Sequence, residues 1–209
     1  MFDKIVEGFK KSPYLWTALI SMTVITILTP LTRRVPQPPP VVSTVPEFSL
    51  VGPDGTAFGS RELAGRIYIA SFIFTRCQSI CPMIVQHLTK LQNQIIQQKI
   101  PLTLVSITVD PENDTPSVLK SFAEKSGANS SVWTFLTGTR ESITHVVEKG
   151  FTVGMGAPAE INGLMDIAHS QKLILVDNRG RIRGFYDATT EGVEEIFARA
   201  EAVVGETLL

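Results

Sequence analysis

The chain has two cysteines in 209 residues, Cys77 and Cys81. They stand in the string Thr75-Arg76-Cys77-Gln78-Ser79-Ile80-Cys81-Pro82. Two are too few for a disulfide scaffold, and a pair this close staples little chain, so the spacing points to redox or metal chemistry. Once helical, positions i and i+4 share a face with Cβ atoms about 6 Å apart, so both sulfurs can point at one ion. A structural zinc site takes four ligands. Two thiolates joined by one imidazole suit soft Cu(I) instead. The same pair can oxidise, because a disulfide needs Cα atoms only about 4.4–6.8 Å apart. A helix N-terminus and Arg76 are both expected to favour the thiolate. The bland alternative is two buried cysteines that happen to be neighbours.

Three histidines compete for the imidazole role: His87, His145 and His169. The first two fall inside helical patterns, where a lone histidine is ordinarily a surface or boundary residue. His169 differs, because it precedes the apolar run 172–177 (KLILVD). In a thioredoxin-like fold that strand lies near the cysteine helix. Asp110, Glu112 and Asp114 form an acidic loop after an apolar run. They read either as helix capping by Asp114 or Thr115 or as a site beside the cysteines, since the C-terminal ends of strands carry sites in open α/β sheets. Met155 and Met165 are soft thioethers near His169, and loop methionines more commonly just pack.

These residues need a scaffold, and the chain alternates strand and helix from Pro46 on. Residues 67–74 (IYIASFIF) and 102–109 (LTLVSITV) read as strands buried on both faces. Residues 83–97 place Ile84, Leu88, Leu91 and Ile95 on one helical stripe. Residues 116–125 form a helix with Thr115 a candidate N-cap and Pro116 at its first position. Strands follow at 47–51 and 133–136, and a helix at 140–149. The segments 172–177 and 182–186 form a hairpin, and 191–204 a closing helix. Residues 150–168 lack periodicity and read as a surface loop leading to His169. The order predicts an α/β thioredoxin-like mixed sheet flanked by helices.

Ahead of this domain, residues 14–31 (YLWTALISMTVITILTPL) carry no charge. At 1.5 Å per residue they reach about 27 Å, enough for a thin bilayer core. Tyr14 and Trp16 suit one interface. The stretch exceeds a signal-peptide core, and no small-x-small site follows. Lys4, Lys10 and Lys11 precede it and Arg33 and Arg34 follow, which favours a cytoplasmic N-terminus and an exported domain. The expected organisation is a cytoplasmic tail (1–13), a transmembrane anchor (14–31), a proline-rich linker (32–45) and the thioredoxin-like domain (46–209). Three consecutive prolines make the linker an extended spacer. Charge nearly cancels, at 19 basic against 20 acidic residues, without runs longer than two. That argues against a nucleic-acid partner.

The strings FTRCQSICP and SITVDPENDTP, with the distal histidine in AHSQKLILVD, resemble the SCO/SenC family of copper chaperones from about Pro46 to Val204. The resemblance implies a membrane-anchored, thioredoxin-like protein on the periplasmic side that helps assemble the copper A centre of cytochrome c oxidase. It implies copper, as Cu(I) or Cu(II), held by Cys77, Cys81 and His169. It also matches Asp110 and Asp114 to the two aspartates of the family's loop. The chain departs from the family at Ala168, where many members carry Asp; here Asp166 stands three residues before the histidine.

Two function classes follow. A metallochaperone would pass copper to the oxidase's copper A subunit, or to another copper or thiol-exchange protein, without turnover. A thiol–disulfide oxidoreductase would keep the acceptor's cysteines reduced, with Cys77 attacking and Cys81 resolving. A thiol peroxidase shares the fold but needs neither the second cysteine nor the histidine.

Overall fold

A computed structural model describes residues 13–32, 37–77, 81–161, 164–169 and 171–207; the side chains of 15, 27–32, 155, 157–161 and 164–169 lie outside that description. The chain divides into two compact units, residues 1–36 and 37–209.

In the first unit, helix α1 covers Pro13–Thr32, twenty residues without Asp, Glu, Lys or Arg. Trp16, Leu19, Ile20, Met22, Val24 and Ile25 are exposed on it. The hydroxyls of Thr17, Thr23 and Thr26 donate to the carbonyls of Tyr14, Leu19 and Met22, so these three polar side chains are satisfied within the helix. Among the described residues no helix is long and apolar enough to cross a membrane. The expected span at 14–31 is therefore not shown.

The second unit is built on a six-stranded sheet. In chain order the elements are β1 (Ser43–Thr44), β2 (Ser49–Val51), β3 (Ala57–Gly59), β4 (Ile67–Ile73), α2 (Cys81–Gln98), β5 (Leu102–Thr108), α3 (Pro116–Lys125), β6 (Trp133–Leu136) and α4 (Arg140–Thr144). A π-helical stretch, His145–Gly150, follows; then β7 (Met155–Ile161), β8 (Leu164–His169), β9 (Lys172–Val176), β10 (Arg181–Asp187) and α5 (Thr190–Thr207). The main sheet runs β1-β10-β9-β4-β5-β6. Strands β4, β5 and β6 are parallel, while β9 is antiparallel to both β4 and β10. This is the mixed sheet that the alternating pattern predicts. All seven residues of β4 are buried, which explains its unbroken apolar run. Helix α2 buries Ile84, Leu88, Leu91 and Ile95, the stripe read from the sequence. Helix α5 packs on β10, β9 and β4 and against α2, and α3 lies on β6.

Three expectations change. Most of the expected loop is strand: Met155–Ile161 and Leu164–His169, β7 and β8, pair antiparallel with Ile161 opposite Leu164 and Met155 opposite His169. The helix at 140–149 shifts from α to π at His145. The folded unit begins at Gln37, ahead of Pro46. Val42 and Val45 donate to the carbonyls of Ile182 and Gly180, and the buried Arg183 donates from Nε to the Pro39 carbonyl at 2.7 Å.

Arg183 belongs to a buried ionic knot at the end of the sheet where β4 begins. Its Nη1 reaches Asp177 at 3.1 Å and its Nη2 reaches Glu206 at 2.6 Å. Asp177 also takes Arg181 at 2.8 Å and the backbone N–H groups of Arg179 and Arg181. These bonds shape the β9–β10 turn, where Gly180 adopts φ +72°. Burial pushes the Asp177 carboxyl up, but the Arg181 guanidinium, the two N–H groups and Arg183 together hold it below its ordinary value of 3.8. A depressed folded pKa means that the unfolded chain binds more protons near that value. The stabilisation is therefore complete above about pH 4 and is lost as pH falls through the folded pKa. Asp177→Asn should cost about 2 kcal/mol or more at pH 7 and flatten the acid limb of stability, as read by urea unfolding from pH 7 to pH 3.

Candidate metal centre

The buried strand β4 delivers the chain to the cysteines. Cys77 is 6% exposed and follows a turn in which its N–H donates to the Phe74 carbonyl at 3.2 Å. Cys81 is 2% exposed and is the first residue of α2. Its backbone N–H donates to the Cys77 sulfur at 3.3 Å, and no disulfide joins the pair. The first N–H groups of a helix have no partner within it, so a sulfur placed there satisfies one of them. The two thiols thus lie side by side at a strand-to-helix junction, as the spacing predicts.

The expected ease of ionisation does not extend to Cys81. Burial pushes its thiol well above the ordinary range; a hydrogen bond from the Phe74 backbone works the other way, and Cys77 and Asp114 add to the rise. Arg76 does not offset this, because its guanidinium is taken by Asp110 through Nε at 3.2 Å and Nη2 at 2.8 Å.

His169 ends β8, and its imidazole lies outside the described side chains. Its backbone position follows from topology. Strand β9 runs antiparallel to β4 with Tyr68 opposite Val176 and Ala70 opposite Ile174. The chain leaving β4 for Cys77 and the chain entering β9 from His169 therefore occupy the same end of the sheet. Asp166, Met155 and Met165 share the β7–β8 hairpin, again without described side chains. Among the described residues no group of three or more His, Cys, Asp or Glu side chains is placed to hold an ion. His87 is buried inside α2, and His145 is exposed where α4 passes into the π-helical stretch.

The acidic loop meets the capping expectation through Thr115 and puts Asp114 to another use. Thr115, not Asp114, caps α3 by accepting from the Val118 N–H. Asp114 is buried and accepts from the Thr75 N–H at 3.1 Å, the Thr75 hydroxyl at 2.5 Å and the Thr108 hydroxyl at 2.5 Å. Burial still pushes its carboxyl up, against the pull of these donors. Asp110 is equally buried and holds Arg76 and the Asn113 amide. Glu112 points outward and pairs with Arg140, which also donates to the Val109 carbonyl at 3.0 Å. Thr75 is thus a functional candidate that the sequence reading did not single out, and Arg76, expected to favour the thiolate, is instead held by Asp110. Nothing local marks Thr75, since Asp114 lies 39 residues from it.

Known proteins are similar to this chain in sequence and fold. The SCO1/SenC family model matches residues 37–205. The SCO1 protein homolog of Bacillus subtilis is 33% identical over 149 residues, covering 71% of this chain and 76% of that protein. Among solved structures, the chain superposes with a TM-score of 0.70 on BsSco, a member of the Sco family of cytochrome c oxidase assembly proteins in which a disulfide switch was identified. That match has 28% identity and covers 81% of this chain and 98% of the other. Yeast Sco1 with copper bound superposes at 0.64 with 28% identity, over 77% of this chain and 90% of that one. A mixed sheet that carries CxxxCP at the end of a buried strand, and a match running almost from the start of the folded unit to its last helix, lead to one assignment: the chain belongs to the SCO1/SenC family.

Proposed function

We propose that this protein is a copper metallochaperone acting in cytochrome c oxidase assembly. The observation that carries the reading is the placement of two reduced cysteines side by side, with the Cys81 N–H on the Cys77 sulfur. Two thiols at one buried point are a soft donor set that fits Cu(I). Cys77 and Cys81 would hold the ion as thiolates, with His169 completing a three-coordinate set. A metal ion supplies the positive charge that makes two adjacent buried thiolates tolerable, so protons leave the sulfurs as copper binds. Copper is the cargo. It passes to the acceptor's copper A site by stepwise ligand exchange. Copper bound to yeast Sco1 and the role of BsSco's family in oxidase assembly support the reading.

Anchoring belongs to the same proposal. Counted from the sequence, residues 14–31 are an uncharged stretch within α1, where the hydroxyls of Thr17, Thr23 and Thr26 are internally bonded and Trp16, Leu19, Ile20, Met22, Val24 and Ile25 are exposed. A span there, with three lysines before it and two arginines after it, would place the cysteines on the extracytoplasmic side.

The test is a titration of the reduced protein with Cu(I) against a competing chelator. One equivalent should bind, and Cys77→Ser or Cys81→Ser should each abolish tight binding. Retention of wild-type affinity by either variant would overturn the site. A second reading, a thiol–disulfide oxidoreductase, is favoured by the adjacency of the two cysteines and by the disulfide switch of BsSco.

A further inference from the structure

The residues just ahead of Cys77 are held from outside their own loop. Thr75 gives both its N–H and its hydroxyl to Asp114, and Arg76 gives two guanidinium nitrogens to Asp110. Both carboxylates are at most 1% exposed, and both come from the segment joining β5 to α3. Asp114 is tied down in turn by the Thr108 hydroxyl at the end of β5, and Asp110 by the Asn113 amide. Buried carboxylates persist when hydrogen-bonded, and bonds to an ionised acceptor are the strong ones. Cys81 stands on a different body, the helix α2, whose apolar stripe is sunk in the core. The two sulfurs are therefore carried by two separately anchored pieces, and the distance between them is set by where each is anchored.

We propose that Asp110 and Asp114 are positioning residues. Through Arg76 and Thr75 they set the approach of Cys77 to Cys81, and so the balance between dithiol and disulfide; their effect on copper rests on the metallochaperone reading. Capping does not account for Asp114, because Thr115 caps α3. General stabilisation does not require both carboxylates to end on the two residues preceding Cys77. Asp177 is the contrast: a carboxylate just as buried, at the opposite end of the sheet.

The step to be measured is oxidation by a small disulfide. Glutathione disulfide loses its S–S bond, the Cys77–Cys81 bond forms, and the two protons and two electrons leave with two molecules of glutathione thiol. The equilibrium constant is read in glutathione buffers for the full chain and for Asp114→Asn, Asp110→Asn and Asp177→Asn, with a thermal melt for each. Each loop variant should shift the constant about tenfold, the effect of losing roughly one charge-assisted bond from one redox state. Asp177→Asn should lower the melting temperature yet leave the constant within about twofold, because its effect is shared by both redox states. Thr75→Val removes one donor and keeps the N–H, so it should shift the constant in the same sense by a smaller factor. It decides the matter if Asp114→Asn does not fold. Loop variants that melt earlier but keep the wild-type constant would show ordinary structural carboxylates and overturn the proposal. A parallel Cu(I) titration separates the two readings. Wild-type protein that binds no Cu(I) sinks the metallochaperone, while the glutathione constants still decide the positioning role.

Discussion

His169→Ala is expected to abolish tight copper binding and to leave disulfide exchange at Cys77 and Cys81 nearly unchanged. Removing one of three ligands forfeits on the order of a third of a binding energy of roughly 12 kcal/mol, a loss of affinity of about a thousandfold. Exchange needs only two thiols, and the Cys81 N–H on the Cys77 sulfur at the start of α2 keeps those together. The measurement pairs chelator competition for Cu(I) with the rate of reduction of a small disulfide, both on the same preparation. Equal loss of the two activities would mean that residue 169 supports the fold of the cysteine end. No loss of either would remove the imidazole from the metal set and leave a dithiol domain.

Phe151→Ala should produce the largest loss of stability, about 3–5 kcal/mol, the range for truncating a large buried aromatic. Phe151 is fully buried and packs edge-on against Phe72, with centroids 5.6 Å apart, and against Phe48 at 6.4 Å. It closes the π-helical stretch by donating its N–H to the Val146 carbonyl at 2.9 Å. The next residue, Thr152, adopts φ +55°, a strained choice for a β-branched side chain. The hairpin that carries His169 follows at once. For a unit of this size each kcal/mol lowers the melting temperature by about 2–4 °C, so a fall of roughly 8–15 °C is expected. Circular dichroism melts of Phe151→Ala and Phe151→Leu check it. A fall of under about 4 °C for the alanine variant would show that the ring is not a principal support.

Much of the scaffold is legible because burial leaves its mark on residue type. IYIASFIF and LTLVSITV can hardly be anything but inner strands, and the stripe from Ile84 to Ile95 fixes the face of α2. The cysteine pair is legible for the same reason: four residues after a buried strand set the two thiols at a helix entry. The β7–β8 hairpin is harder. Its first strand mixes Gly156, Ala157, Pro158 and Ala159, with no alternation of apolar and polar side chains. One signal was available. Asn162-Gly163 stands between Ile161 and Leu164, the dipeptide most typical of a two-residue hairpin turn. The grip on Thr75 and Arg76 left no local sign at all. Its partners meet only after β4 and β5 have paired, and a buried aspartate in a polar loop looks like any capping residue. Strand β1 escaped notice because two residues show no period.

The proline run has a consequence beyond spacing. Pro38, Pro39 and Pro40 stand two residues ahead of β1, and the Pro39 carbonyl is engaged by Arg183 on β10. Proline has no N–H to offer, so the chain leading into this rim is a poor template for an extra strand from a neighbouring molecule. At the other rim β6 is only four residues long. Both rims are thereby made poor starting points for clumping between copies of the chain.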